Sequence, residues 1–500
     1  MKLYFEQSNM PWQPERFRYA AEQMMLTLFP EERPEYPAGP LPGSLAEEDN
    51  AVVFTLHRGK KLTNVSALVF RPQGWHNGVS RFPSEELDRP PEEAFRTVQH
   101  ALKLAFYKAG TALLGYEPPW GALTGVRPVK LPTRALLAGA SPAQARRELE
   151  RKYHVSSPRA ALAADCAQAS AAALESLRPD EVSVYMGIPF CPTRCAYCSF
   201  VSAGVGRTLN LVEPYLEVLL READAAGRAL ARAGLRVRSF YMGGGTPTTL
   251  SAGQMDRLLA RCRAALPLEG CTEYTVEAGR PDTITAEKLR VLRDYGVGRI
   301  SINPQTLQDE VLAAIGRRHG TAEFFAAWEL ARRAGFDCVN TDLIAGLPQD
   351  SFDGFRRSLE QVLALEPENV TVHTLALKKG TSLAETRQAL PDGAEVARML
   401  DLSREELSGR GWRPYYLYRQ KYMSGALENV GWARPGTESL YNIVMMEELH
   451  TVVSIGAGGV TKLVDRAQGK IVRLSNPKYP QDYLRTAEKV LAQKEGLFIS

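Results

Sequence analysis

The sequence predicts an α/β protein built on a partial (β/α)6 barrel, with an α/β domain before it and a small element after it. Three observations carry that prediction. Between Glu181 and Leu377, apolar runs of strand length alternate six times with amphipathic helical stretches. Six strand–helix units in series imply parallel strands, because parallel neighbours need crossover helices, and right-handed crossovers curl them into a partial barrel. The motifs rich in Cys, Gly and charged residues all fall at the carboxyl ends of the expected strands, where such a barrel binds its ligands.

Residues 1–178 are expected to form an N-terminal α/β accessory domain. AVVFTLHRGKKLTNVSALVF (51–70) reads as two strands around a basic turn. A long amphipathic helix runs from Pro90 and is capped by Gly115. PPWGALTGVRP (118–128) reads as a Pro/Gly-rich linker, and alanine-rich helices span Ser141 to Ser176. Residues 179–393 hold the barrel. Its strands are VSVYMGIPF, RSFYMGGG, TEYTVEAG, VGRISINP, FDCVNTDLIAG and NVTVHTLAL. The intervening helices include EPYLEVLLREADAAGRALARAG, one from Ser251, AEKLRVLRDYG, one over 321–334 and one over 352–365. Residues 394–500 are expected as a C-terminal element covering the substrate site. It has a helix, a tyrosine-rich strand (413–423), a glycine turn (454–462) and a last helix from about Gln481.

Composition narrows the function. A chain of 500 residues exceeds one core, while 44% hydrophobic and 24% charged residues are ordinary globular values. A net charge of +4 gives no case for a nucleic-acid partner. No apolar run approaches the roughly 20 residues that span a bilayer, so no membrane partner is expected. MKLYFEQSNMPWQ at the start lacks a signal-peptide pattern. The expectation is a cytoplasmic protein, where disulfides are unlikely. All seven cysteines lie at or beyond Cys166, and three of them fall within eight residues, which points to metal or catalysis.

Those three are Cys191, Cys195 and Cys198, spaced C-x3-C-x2-C just after the first barrel strand. Thiolates are the usual ligands of iron–sulfur clusters. A structural zinc site needs four closed ligands, and the next cysteines along the chain, Cys166 and Cys262, are too far off in sequence to complete one locally. A cubane with three protein thiolates leaves one iron open to a substrate or cofactor. Cys166, Cys262, Cys271 and Cys338 read as small core hydrophobes.

The cysteine loop, with its tyrosine before the third cysteine, resembles the radical S-adenosylmethionine (SAM) signature. YMGIPFCPTRCAYC, YMGGGTPTTL, VEAGRPDT, SINPQT, IGRRH, TDLIAGLPQD and SIGAG together resemble the oxygen-independent coproporphyrinogen III oxidase (dehydrogenase) family. The N-terminal extension and PWGALTGVRP look most like its HemZ type. The resemblance covers roughly residues 181–465. It implies a [4Fe–4S] cluster on Cys191, Cys195 and Cys198, with SAM chelating the open iron. One electron then cleaves SAM to a 5′-deoxyadenosyl radical that abstracts hydrogen. The electron would come from a low-potential donor such as flavodoxin or ferredoxin. Gly244, Gly245 and Thr246 match the motif that binds the SAM amino group. Its glycines would let backbone N–H groups approach a ligand closely. Tyr185 matches a tyrosine near the cluster.

Further cofactor contacts follow from side-chain chemistry and position. Glu277 ends the third strand, where a carboxylate would accept from ribose hydroxyls or an ammonium, unless it is a solvated rim charge. Gln305 ends the fourth. Arg317, in IGRRH, is the family-matched position, and a guanidinium suits a carboxylate. Asp342 lies in an otherwise apolar strand and needs a partner. His373, in the sixth strand, reads as a satisfied core histidine.

The sequence also departs from the family. Oxidases usually read Y-x-H-I-P-F-C and end C-x-C; here Gly187 replaces the histidine, and Ser199-Phe200 follow Cys198. A later H-N-x-x-Y-W motif is absent, its region reading GTESLYNIVMMEE. Two functions follow. One is oxidative decarboxylation of coproporphyrinogen III to protoporphyrinogen IX, with Arg419, Lys421, Arg434 and Lys462 as partners for its propionates. The other is a heme-binding or heme-delivering protein that keeps the fold, with His373, then His319, as heme ligand.

Overall fold

The structure is a computed structural model describing residues 1–37, 41, 50–198, 203–378, 381–383, 389–420 and 423–499; side chains at 203–207, 209 and 424 are not described. It divides into two compact units, neither a contiguous stretch. The first holds residues 1–128, 140–164 and 419–427, the second 129–139, 165–418 and 428–500.

In the first unit, β1 (Lys2–Ser8), β2 (Ala51–Arg58), β3 (Leu62–Arg71) and β4 (Gly74–Pro83) form a sheet in that order. β1 runs parallel to β2, and β2–β3–β4 is an antiparallel meander. Alternation in β3 turns Val65, Ala67 and Val69 inward. They join a core with Val98, Leu102 and Phe106 of the helix Pro91–Leu114. That helix ends on Gly115 at φ +62°, the left-handed cap its sequence promised. The expected linker is more than a linker. Trp120 is 1% exposed, and the Arg419 guanidinium lies 5.4 Å from its ring centre. Arg419 also donates to the carbonyls of Leu123 and Ala426. The strands β1 and β4 and the helix Arg18–Leu28 were not expected from the sequence.

The second unit contains β5 (Glu181–Ile188), the short pair β6 (Phe190–Cys191) and β7 (Ala203–Gly204), β8 (Arg236–Gly244), β9 (Glu273–Glu277) and β10 (Arg299–Ser301). After these come β11 (Cys338–Ala345), β12 (Asn369–Thr374), β13 (Arg413–Tyr418), β14 (Asn429–Ala433), β15 (Val452–Ile455), β16 (Val460–Asp465) and β17 (Lys470–Ser475). The six strands β5, β8, β9, β10, β11 and β12 are parallel and adjacent in chain order, as predicted. Ser251, Thr285 and Ser351 cap three of the crossover helices with their hydroxyls. Beyond the prediction, β14 joins antiparallel to β12 and β13 antiparallel to β14, while β15 joins parallel to β5 and carries β16 and β17. Among the described residues the sheet has eleven strands.

Strand period sorts the side chains into two faces. Val182, Val184, Met186 and Ile188 of β5 are buried, as are Phe240 and Met242 of β8 and Val370 and Val372 of β12. This is the face toward the helices: Met186 sulfur lies 3.9 Å from Cys262 of the helix Ala252–Ala265. Register puts Ser183, Tyr185, Ser239, Tyr241, Glu273, Thr275, Glu277, Arg299, Ser301, Asn340, Asp342, Thr371 and His373 on the other face. That face is polar and internally bonded: Ser183 meets Ser239 at 2.6 Å, and Asn340 donates to Asp342 at 2.8 Å. Cys338 lies on this polar face beside the Arg299 guanidinium at 2.8 Å, so it is buried but not in apolar surroundings as expected.

Candidate cluster and cofactor site

The cysteine loop leaves the end of β5 and is pinned at its base by the glycine segment of β8. The Gly245 amide donates to Ile188 O at 2.8 Å and the Thr246 amide to Phe190 O at 2.7 Å. Those two N–H groups are therefore used in strand pairing rather than presented to a ligand. What the glycines leave open is space. A Cβ on Gly243 would stand 2.8 Å from the Glu277 carboxylate, so only glycine lets that side chain lie across β8. Gly244 has φ +108°, and a Cβ there would come within 3.1 Å of the Tyr185 hydroxyl.

All three cysteines are half-buried. Thr246 Oγ1 donates to Cys191 Sγ at 3.5 Å, and Arg280 Nη1 approaches Cys195 Sγ at 3.7 Å and Thr193 Oγ1 at 3.0 Å. The Cys198 amide donates to Cys195 O at 3.1 Å. Arg317 is buried and spans two segments: Nη1 donates to Asn303 O at 2.7 Å and Nη2 to the Tyr197 hydroxyl at 3.2 Å. Its neighbour Arg318 is exposed. The Ala196 amide donates to Ile315 O, and Leu383 N donates to Ala196 O. Ser199 and Phe200, which end the loop's signature, lie outside the described residues.

Across the strand ends stand the remaining expected residues. Glu277 accepts from the Tyr241 hydroxyl at 2.6 Å. Burial pushes its carboxyl up to about 7; the Tyr241 and Gly244 hydrogen bonds oppose that rise, and the Asp342 charge adds to it. Gln305 is buried with a left-handed backbone at φ +70°, unusual for a residue with a side chain. Its main chain bridges to β11 through Asp342 O and Ile344 N, while its side-chain oxygen has no protein partner. Asp342 has the partner its position demanded: Asn340 donates to it, and His373 Nε2 lies 3.6 Å away. His373 is thus half-buried beside a carboxylate and not a fully enclosed core histidine. Tyr185 stacks with Tyr241 at 6.4 Å and with Tyr441 at 6.3 Å.

The donor set fits a cluster with an organic cofactor beside it. Among the described residues no three His, Cys, Asp or Glu side chains converge to hold a single metal ion. Thiolates ligating separate corners of a four-iron cube need no such convergence. The buried side-chain oxygens of Gln305 and Asn303, with no protein donors, suit a ligand that brings its own. Arg280, Asn303 and Tyr241 were given no role in the sequence reading, and Tyr197 served there only to mark the cysteine signature. All four lie inside the motifs quoted for the resemblance, which was their only signal.

The Glu277 environment has a measurable consequence. Its folded-state value lies above the ordinary 4.5, so the folded chain binds the extra proton between about 4.5 and about 7. Stability from this group is therefore greatest at low pH and falls as pH rises through that window. Urea midpoints of the cofactor-free protein and of Glu277→Gln, measured from pH 5 to 8, should diverge in the variant's favour as pH rises. Parallel profiles would show that Glu277 is not desolvated.

The cations expected for propionates are engaged elsewhere. Arg419 holds carbonyls of its own unit, Arg434 covers the Trp412 ring and donates to Arg410 O, and Lys462 donates to Met445 O. Lys421 lies outside the described residues.

Residues 185–362 match the family model of the radical SAM superfamily. The chain is similar to the oxygen-independent coproporphyrinogen-III oxidase-like protein HemZ of Bacillus subtilis, 40% identical over 412 residues, 81% of this chain and 82% of that one. It is 29% identical to the heme chaperone HemW of Escherichia coli, over 61% of this chain and 76% of that one. The fold resembles that of the Escherichia coli coproporphyrinogen III oxidase HemN, with a TM-score of 0.51, 24% identity, and 64% of this chain and 71% of that one covered. No helix among the described residues is long and apolar enough to cross a membrane.

Proposed function

Because the chain belongs to the oxygen-independent coproporphyrinogen-III oxidase-like family of the radical SAM superfamily, we propose that it oxidatively decarboxylates two propionates of coproporphyrinogen III to vinyl groups, giving protoporphyrinogen IX. The observation that supports this best is that the loop of Cys191, Cys195 and Cys198 follows β5 and is bonded to Thr246 after β8, to Arg280 just past the strand that Glu277 ends, and to Arg317.

In this reading Cys191, Cys195 and Cys198 hold a [4Fe–4S] cluster. The cluster and SAM, when bound, supply the one-electron cleavage of SAM and the hydrogen abstraction. The chain supplies position and exclusion of water. Gly244, Gly245 and Thr246 form the floor beside the cluster. Glu277, held by Tyr241, and Asp342, held by Asn340, accept from cofactor hydroxyls. Gln305 offers its unpaired oxygen. Arg317 fixes the cysteine loop through Tyr197 and would pair with the cofactor carboxylate. Tyr185, whose hydroxyl stands beside Gly244, would meet cofactor and substrate. Residues 179–393 carry this chemistry, 1–178 are accessory, and 394–500 cover the substrate.

Heme binding without turnover is the second reading. It is favoured by the engagement of Arg419, Arg434 and Lys462, and by His373 being half-buried at a strand end. Anaerobic incubation of reconstituted protein with SAM, a low-potential reductant and coproporphyrinogen III tests both. Protoporphyrinogen IX with 5′-deoxyadenosine is the expected product pair. No tetrapyrrole product, together with tight one-to-one heme binding lost in His373→Ala, overturns the first reading in favour of the second.

A further inference from the structure

A cavity of about 570 Å³ lies at the amino-terminal ends of the parallel strands, the opposite end from the cysteine loop. Arg238 stands near the start of β8, Glu273 and Arg299 open β9 and β10, and Cys338 opens β11. The whole lining belongs to the second unit. One wall is the helix Ser157–Ser176, whose Ala169, Ala172, Ala173 and Ser176 follow the spacing of a single helix face and are small enough to leave the volume open. Leu440 and Ile443 of the helix Leu440–Glu447 add an apolar surface. The volume falls within the range of small-molecule sites, roughly 300–1,000 Å³.

Two guanidiniums line this cavity, and neither has a carboxylate at hydrogen-bond distance among the described residues. Glu181 lies 3.8 Å from Arg238 Nη1, and the buried Arg238 Nε has no partner. Arg299 is held only by neutral groups: Nη1 donates to Asn369 Oδ1 and lies 2.8 Å from Cys338 Sγ, and Nη2 donates to Thr437 O at 2.7 Å. Burial pushes the Cys338 thiol up to about 12, so it brings no negative charge. Arg299 Nε is likewise buried without a partner. The acids of the lining are already engaged. Glu273 accepts from Ser439 Oγ at 3.0 Å, Leu440 N at 2.6 Å and Tyr441 N at 3.1 Å; Glu438 accepts from Gly436 N at 3.0 Å; Asp337 faces Arg293 at 3.6 Å.

We propose that this cavity is a second binding site, for a small organic monocarboxylate, with the carboxylate on Arg238 and Arg299 and the apolar body against the alanine wall. A buried cation without a counter-charge is costly, and a bound anion offsets that cost. A guanidinium fork matches the two oxygens of a carboxylate. One negative charge suits the site better than two, because Glu273, Glu438 and Asp337 bring the same sign into the same cavity and would repel a phosphate dianion. The site shares no residue with the cysteine loop and stands independently of the function proposed above.

The test is isothermal titration of the full-length protein with 4-phenylbutyrate, using its neutral amide and 4-phenylbutylamine as matched controls. The carboxylate should bind one to one and about tenfold or more tighter than the amide. Arg238→Gln removes one guanidinium and leaves Glu181 its bond from Arg178 N. Ala172→Trp fills the cavity from an exposed position of its helix wall without changing any charge. Each should weaken 4-phenylbutyrate by about tenfold or more, with circular dichroism and urea midpoint near those of the parent. Arg236→Gln, on the same strand but outside the cavity, should bind as the parent does. Binding kept in both cavity variants places the carboxylate elsewhere on the chain and overturns the proposal. Equal affinity for the amide, tighter binding of the amine, or no binding of 4-phenylbutyrate overturns it as well. Displacement of the probe by millimolar inorganic phosphate assigns the two arginines to phosphate and overturns the monocarboxylate.

Discussion

Alanine at Cys191, Cys195 and Cys198 together should bring iron and sulfide in the anaerobically reconstituted protein from about four of each per chain to near zero. 5′-Deoxyadenosine formation should fall to background with it. The loop that carries the thiols is held by anchors that do not use sulfur: Thr246 N donates to Phe190 O, Arg280 to Thr193 Oγ1, and Arg317 to the Tyr197 hydroxyl. Removing the sulfurs leaves those anchors and hence the fold, so circular dichroism should stay near that of the parent. Cys262→Ala is the matched control, because its sulfur is buried against Met186 on the helix face. It should retain the full cluster. A normal iron content in the triple variant, or its loss in Cys262→Ala, would place the cluster elsewhere.

Glu222→Ala should cost about 3–5 kcal/mol of stability, the usual penalty for leaving a buried ion unpaired. Glu222 and Lys494 are both fully buried, with nitrogen and oxygen 3.5 Å apart. Burial pulls the Lys494 ammonium down, and the Glu222 charge opposes that shift. Glu222 also accepts from Gly456 N at 2.8 Å, Asn476 at 2.7 Å and the Tyr483 hydroxyl at 2.5 Å. Tyr215 extends the network, donating to Gly187 O and accepting from Ala457 N. The pair therefore ties the final helices to the strand that leads into the cysteine loop. Lys494→Met should cost less, because the carboxylate keeps three donors. Glu222→Gln/Lys494→Met should recover most of the loss, since neither charge is then stranded and the amide oxygen still accepts from the buried donors. Urea midpoints read all three variants, and an unchanged midpoint in Glu222→Ala would show that the pair is solvated.

The amino-acid sequence alone determined the six strand–helix units, the cysteine loop and Glu277 at the end of its strand; Asp342 lies inside β11 as read, whereas Gln305, expected to end the fourth strand, lies four residues past the end of β10. Each is a local signal: a period of two or 3.6, a cysteine spacing, a charge closing an apolar run. Gly115 as a helix stop and Ser251 as a helix start were legible for the same reason. Tertiary structure decided what depends on partners distant in the chain. β15 is four buried residues without alternation, so its pairing with β5 has no sequence signal. The Glu222–Lys494 pair joins residues 272 positions apart, and each alone reads as an ordinary surface charge on a helix. Tyr241 beside Glu277, Arg280 beside Cys195 and Arg317 beneath Tyr197 likewise arise only when separate strand ends meet. The same holds for Arg419, Arg434 and Lys462: their charges suggested a propionate site, but each had already been committed to nearby carbonyls or rings by the packing around it. Burial makes hydrogen bonding obligatory, and only the folded chain shows which groups are buried.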